Sequence, residues 1–131
     1  PQTVLSRKML NQSQFLQSHV LHVYFLAVPD FVGIPSVMPL IKTHPDVVKR
    51  ALRLKKLAND YTAVMGGRTL HPMSHTLKGW RRLPTLDAIA QIHDRLLAAV
   101  PDLLETVAII KTLKIPPYQR ETEFVSLKHP D

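Results

Sequence analysis

Glycine is the residue whose placement most restricts the fold. The chain has only four glycines, and none falls inside its three longest stretches of helical pattern. So few glycines argue against a turn-rich β-sandwich or barrel. The chain also has eleven prolines, most of them where those stretches should begin or end. This distribution predicts a small, all-α domain.

The first helix is predicted over residues 4–27, where apolar residues recur near helical spacing without glycine or proline. Pro29 is predicted to end it. Residues 20–28 are apolar almost all round, so this half should be buried on most sides. Residues 31–42 are apolar but contain one glycine and two prolines, which predicts a buried loop or a short helical turn.

The second helix is predicted from about Pro45 to Met65. Thr43 should cap its first turn, and Gly66-Gly67 should end it, because glycine tolerates a left-handed C-cap. Its predicted buried stripe consists of Val47, Val48, Ala51, Leu54, Leu57, Ala58 and Tyr61.

Residues 68–84 are predicted to form a loop, and a third helix should follow Thr85 as its N-cap. Pro101 removes a backbone donor, so this helix should be kinked or split near residues 98–100. Pro116-Pro117 should end it, and residues 121–128 could form a short strand that needs a partner from elsewhere.

Three long helices with broad apolar faces predict an antiparallel bundle with a short extended C-terminal tail, forming one domain over residues 1–131. The first helix carries more apolar surface than two neighbours would cover. A missing neighbour, and self-association of the isolated chain, are therefore expected.

The amino-acid composition and charge limit the classes of function that the chain can have. Apolar residues at 45% and charged residues at 21% are typical of a soluble globular protein. Polar residues interrupt the first apolar stretch, so we expect neither a secretory signal nor a membrane span, and a cytoplasmic location. Cysteine is absent, which excludes disulfides, thiolate metal sites and cysteine nucleophiles for this chain. The formal charge of +7 favours an acidic partner, whether nucleic acid, anionic membrane or protein.

Histidine pairs are the only candidates for a metal site. His19 and His22 lie three apart on one helical face, so they could share an ion, but no acid or further histidine is near in sequence. A packed or hydrogen-bonded pair is the favoured interpretation. His71 and His75 lie four apart, but Pro72 stands where a zinc-protease helix needs its glutamate.

Two basic clusters leave a binding function open. One runs from Lys49 to Lys56, and the other is Lys78-Gly-Trp80-Arg81-Arg82. Both clusters could bind the phosphate backbone of a nucleic acid. The favoured alternative is a solvated helix face and a basic loop that contacts another subunit, which makes nucleic acid the less expected partner.

Two segments in register go beyond composition: Gln17-Ser-His-Val-Leu-His-Val-Tyr-Phe-Leu-Ala-Val-Pro-Asp30, and Gly66-Gly67-Arg68-Thr-Leu-His71-Pro72. Their order and separation resemble the large (alpha) subunit of nickel–iron hydrogenases, most closely the cytoplasmic branch with NAD(P)-linked and sulfhydrogenase types. The resemblance runs through nearly the whole chain and covers only the middle portion of such a subunit. One departure is Lys78-Gly79, where relatives often carry paired glycines.

The resemblance implies a parent subunit that holds a Ni–Fe centre and oxidises or evolves H2, beside an iron–sulfur small subunit. In that family, four cysteines in Arg-x-Cys-Gly-x-Cys and Asp-Pro-Cys-x-x-Cys motifs bind the metals, and this chain has none of them. His19, His22, Arg68 and His71 fall on family-motif positions. By resemblance they support the active-site scaffold or face the small subunit, and they do not bind metal.

Two functional hypotheses therefore remain. The first is a helical scaffold portion of a nickel-dependent hydrogenase large subunit, inert alone, with no catalytic, cofactor-binding or metal-binding residue of its own. Its partners would be the remainder of that large subunit, together with the small subunit, and not a membrane. The second is a basic helical binding module for nucleic acid or an acidic protein.

Overall fold

The computed structural model of the chain describes residues 2–114, 117 and 119–128. Most of them are helical, which confirms the all-α class. The elements in order are α1 (Gln2–Leu21), a π-helical segment (His22–Ala27), α2 (Val28–Phe31), α3 (Leu40–Thr43), α4 (Pro45–Gly66), α5 (Leu86–Ala98) and α6 (Val100–Thr112).

The helix pair α1–α4 forms the centre of the fold. Leu10 packs with Met65 in one cluster, Val20 with Leu54 in a second, and the residues just after the π-helical segment meet the start of α4 in a third. Residue numbers rise along one helix as they fall along the other, so the two helices are antiparallel. This pair matches the predicted bundle, whereas the third layer departs from it.

The third layer is split and poorly covered. As predicted, Thr85 caps α5, since its Oγ1 accepts the amide of Ala88 at 3.2 Å, and the chain breaks at Ala99. Of the long apolar face predicted here, only Ile92 is buried. The α6 helix ends at Thr112, ahead of the predicted stop, and Pro116 lies outside the described residues.

Pro29 does not end the first helix, which corrects the sequence prediction. In the π-helical segment the backbone bonds span five residues, as where the amide of Val28 donates to the carbonyl of Val23. Pro29 then lies in the first turn of α2, where a missing N–H is tolerated. The helical path therefore continues to Phe31.

The second helix runs as predicted, and its stripe is buried except for the half-buried Val47. The predicted cap is wrong. His44 is the N-cap without a side-chain bond, and Thr43 Oγ1 lies 2.9 Å from the His44 Nδ1 atom instead. Gly67 adopts the expected left-handed conformation, with φ of 82°.

Burial along the first helix and in the connection after it matches the sequence predictions only in part. In the apolar second half of the first helix, Val20, Tyr24 and Val28 are buried, whereas Leu26 is exposed. The 31–42 connection contains the predicted short helical turn, which is the helix α3 with Leu40 buried, and the alternative of a buried loop is wrong. Residues 121–128 are exposed without regular structure, and the short strand that they could form with a partner from elsewhere stays a prediction. Within the described ranges, the β-type pairing is one isolated bridge between His75 and Trp80.

Candidate functional site

The two segments that carry the family resemblance meet through Gln17. Its Nε2 atom donates to Asn59 Oδ1 at 2.5 Å and to the carbonyl of Thr69 at 3.1 Å. The backbone carbonyl of Gln17 accepts a bond of 3.3 Å from Lys55 Nζ. One half-buried amide on α1 therefore ties α4 to the loop that follows it.

Gly66 allows this loop to fold back against α1. A Cβ atom on Gly66 would lie 2.6 Å from Pro72 Cβ, closer than real Cβ contacts, and 3.1 Å from Leu10 Cδ1, closer than most of them. The Gly66 carbonyl accepts the amides of Met73 at 2.9 Å and Ser74 at 3.1 Å. The paired glycines of the motif therefore bring Pro72 onto the helix pair.

The four residues proposed from the motifs lie at the surface. His19 and His22 are exposed on adjacent turns, and His19 Nδ1 lies 2.6 Å from the Phe15 carbonyl. Arg68 is exposed, with Nη1 3.2 Å from Met73 Sδ. His71 is exposed and takes a positive φ of 51°, an uncommon conformation for a residue other than glycine. Among the contacts that the structure describes, Gln17–Thr69 joins the two motifs, and the histidines do not.

Sequence reasoning missed the polar residues inside the α1–α4 interface. Ser13 and Thr62 are fully buried, with their hydroxyl oxygens 3.1 Å apart. Ser13 Oγ donates to the carbonyl of Leu10 at 2.7 Å. A sequence pattern could have indicated these buried polar residues, because Ser6, Ser13 and Gln17 follow the helical spacing of the buried face of α1. Such buried polar contacts favour one register between the two helices.

The basic cluster on α4 is largely used within the fold. Arg53 makes a two-pronged contact with Asp102 of α6, at 2.7 and 3.2 Å, and the bond to this carboxylate raises the pKa of Arg53. Arg50 reaches Glu105 at 3.5 Å. Burial lowers the pKa of Lys55. These contacts hold α6 against α4, and they leave fewer cations for a phosphate backbone.

Asp60 joins α4 to α5 in the same way. Its carboxylate accepts bonds from Lys56 at 2.9 Å and Arg95 at 2.7 Å. The bond to Lys56, followed by that to Arg95, lowers the pKa of Asp60 below its ordinary value of 3.8.

Trp80 faces the core and not the basic surface. It packs against the cluster of Leu10, Tyr61, Met65 and Ile92, and its Nε1 atom is buried without a hydrogen-bond partner among the described residues. Its indole is therefore not displayed for stacking on a nucleobase.

The donor set does not fit a Ni–Fe centre. Such a site needs soft thiolate ligands, and the sequence contains no cysteine. Across residues 2–114, 117 and 119–128, no three histidine, cysteine or acidic residues are grouped so that they could hold a metal ion. In the same ranges no helix is long and apolar enough to cross a membrane.

Comparison with known proteins identifies what the chain is similar to, although no family model matches it. One relative belongs to the F420-non-reducing hydrogenase of Methanothermobacter marburgensis. It is 38% identical over 84 residues, which is 60% of this chain and 18% of that protein. Another is the alpha subunit of sulfhydrogenase 2 of Pyrococcus furiosus, 31% identical over 86 residues, 66% of this chain and 21% of that protein.

A more distant relative is the periplasmic NiFeSe hydrogenase large subunit of Desulfomicrobium baculatum, 26% identical over 110 residues, 66% of this chain and 21% of that protein. The curated homologues are thus large or alpha chains of hydrogenases, as the two motifs indicated. The chain spans about a fifth of the length of the relatives it matches.

Proposed function

We propose that the chain is a helical scaffold portion of a nickel-dependent hydrogenase large subunit, catalytically inert alone. The carrying observation is the Gln17–Thr69 bond, because it joins the two segments that resemble such subunits. Its partner Asn59 lies on the intervening helix, so three parts of the chain depend on one side chain. The similarity to curated hydrogenase subunits supports the same assignment.

In this proposal the chain supplies shape and surface, and the rest of the subunit supplies chemistry. The Ni–Fe centre, bound through cysteines outside this chain, would catalyse H2 oxidation or evolution in the intact enzyme. His19, His22, Arg68 and His71 would form the face toward the rest of the subunit or the iron–sulfur small subunit. Their exposure supports this role, since a contact face must be accessible before assembly.

Metal content of the isolated chain tests inertness. The protein is produced in a host that matures nickel–iron enzymes, then analysed for nickel and iron and for H2-dependent reduction of a viologen dye. We expect neither metal in stoichiometric amount and no activity. Stoichiometric nickel and iron would overturn the proposal.

A segment exchange tests the scaffold role directly. Residues of this chain replace the matching segment of the alpha subunit of Pyrococcus furiosus sulfhydrogenase 2, and nickel content and H2 oxidation are measured. We expect a metal-loaded, active chimera. Gln17→Leu should lower its yield of loaded enzyme, because the Asn59 and Thr69 oxygens lose their donor. The matched control Gln12→Leu, on an exposed position of α1, should leave the yield unchanged. Equal yields for both variants would contradict the role of Gln17.

We also propose that the chain is located in the cytoplasm. The resemblance to the cytoplasmic branch supports it, although one relative is named periplasmic. Fractionation of the native cells with an antibody against the chain would test it, and recovery outside the cytoplasmic fraction would refute it.

A further inference from the structure

An open cleft of about 640 Å³ separates the first half of α1 from the loop that follows α4. Leu10 lies at its base. Successive turns of α1 place polar side chains along one wall, and the loop forms the other. The lining residues besides Leu10 are Arg7, Asn11, Gln14, His75, Thr76 and Leu77.

The loop beside this cleft is fixed by contacts at several points. Arg7 donates to the carbonyl of Thr76 at 2.6 Å, which ties the loop to α1. The amide of Arg81 donates to the carbonyl of Ser74, also at 2.6 Å. Trp80, which directly precedes Arg81, is packed against the core. The side chains that the loop displays are therefore held in a defined place.

What the loop displays is basic and apolar. Leu77 is 96% exposed, and Lys78, Arg81 and Arg82 are also exposed. Among the ion pairs within the described residues, none includes these three cations, in contrast to Arg50 and Arg53 of α4. Part of the +7 charge of the chain therefore lies outside these ion pairs on the same loop. Lys78 directly follows the cleft-lining Leu77, and Arg82 lines a second depression with Pro84 and Thr85.

We propose that this cleft and residues 75–82, together the basic loop surface, dock an acidic segment of a partner protein. Carboxylates of the segment would meet Lys78, Arg81 and Arg82, and an apolar side chain would cover Leu77. Charge complementarity selects the sign of the partner. A protein fits better than nucleic acid, because the only tryptophan is packed against the core and cannot stack on bases.

Binding of short fluorescent peptides to the full chain tests the proposal. One peptide alternates glutamate and leucine, and the other contains glutamate alone at the same net charge. A short DNA duplex and phosphatidylserine vesicles are measured in the same buffer. The loop variant combines Lys78→Glu, Arg81→Glu and Arg82→Glu. The charge-matched control combines Lys49→Glu, Lys114→Glu and Arg120→Glu, all exposed and outside the surface.

We expect the loop variant to bind the glutamate–leucine peptide at least about tenfold more weakly than the native chain, and the control less than about threefold more weakly. Leu77→Ser should weaken binding of that peptide and leave the all-glutamate peptide unaffected. Circular dichroism confirms that each variant is folded. Equal losses in loop variant and control would overturn the proposal, because they would indicate diffuse attraction. Tighter binding of the duplex or the vesicles would overturn the choice of a protein partner.

Discussion

At the scale of single residues, Gly66 is where a change of one methyl group should matter most. Gly66→Ala would place Cβ 2.6 Å from Pro72 Cβ, which belongs to a rigid ring and cannot move aside easily. We expect a loss of about 1–3 kcal/mol in the free energy of unfolding, measured by urea denaturation. Gly79→Ala is the control, since its nearest neighbour, Thr76 Oγ1, is at an ordinary 3.5 Å. A loss of the same size at Gly79 would contradict the close-packing argument.

Asp60 should give the stability of the chain a specific pH dependence. Its folded-state pKa is lowered by Lys56 and Arg95, so the folded state binds protons less readily than the unfolded state. The stabilisation is therefore present above 3.8 and is lost as the pH falls through the lowered value. Urea unfolding at several pH values should show a difference between native chain and Asp60→Asn that shrinks below this point.

The control for this pH series is Glu123→Gln in the exposed tail. It should leave the dependence of unfolding free energy on pH nearly unchanged. If Asp60→Asn behaves like Glu123→Gln at every pH, the two ion pairs contribute nothing to folding.

At the scale of elements, the start of α5 depends on one hydroxyl. Thr85 Oγ1 accepts the amide of Ala88, one of the donors that a helix leaves unpaired at its first turn. Thr85→Ala should lower the free energy of unfolding by about 1 kcal/mol, measured by thermal or urea denaturation. Thr85→Ser keeps the hydroxyl and should stay close to the native value. Equal stability of both variants would show that the cap is not used.

Elements with local causes could be predicted from the sequence. The α4 helix runs from Pro45 to Gly66 as its periodicity indicated, because a proline start and a left-handed Gly67 depend only on neighbours in the chain. The continuation through Pro29 could not be predicted, since it follows a π-helical segment whose Tyr24 bonds to Thr106 of α6, far along the chain.

The candidate site shows the same division. The motif residues could be identified from the sequence, but not what joins them. Gln17 and Thr69 are 52 positions apart, and only the antiparallel packing of α1 on α4 brings them together. The burial of Ser13 and Thr62 also depends on that packing. Polar residues at the spacing of a buried helix face were the sequence pattern that could have identified these contacts. Such residues should be considered as site candidates alongside histidines.

At the scale of the whole molecule, the exposed apolar side chains of α5 and α6 should drive self-association. Leu97 is 60% exposed and Leu104 is 66% exposed, on the layer that was predicted to be buried. Large apolar side chains that a fold leaves exposed in number are typical of contact sites. Sedimentation velocity should show association of the native chain that increases with concentration.

Paired variants locate that association. Leu97→Gln combined with Leu104→Gln should shift the chain toward monomer, because apolar area on the layer is removed. Val125→Gln combined with Leu127→Gln changes fully exposed apolar residues in the irregular tail and should have little effect. Stronger dispersal by the tail pair would assign the association to the tail instead.

The π-helical segment has a consequence for which mutations the chain tolerates. Val20, Tyr24 and Val28 are all buried at steps of four, although four residues of regular α-helix turn about 400° and drift off one face. The π-helical segment has more residues per turn than an α-helix, so it cancels that drift and keeps the three side chains on one face. Added length, more than residue identity, is then the constrained quantity between His22 and Ala27. Substitutions at exposed positions such as Leu26 should be accepted, and deletion of a single residue there should restore a regular α-helix with Val28 on the buried face, since seven residues make about two turns. Insertion of one further residue would instead rotate Val28 and Pro29 away from α4.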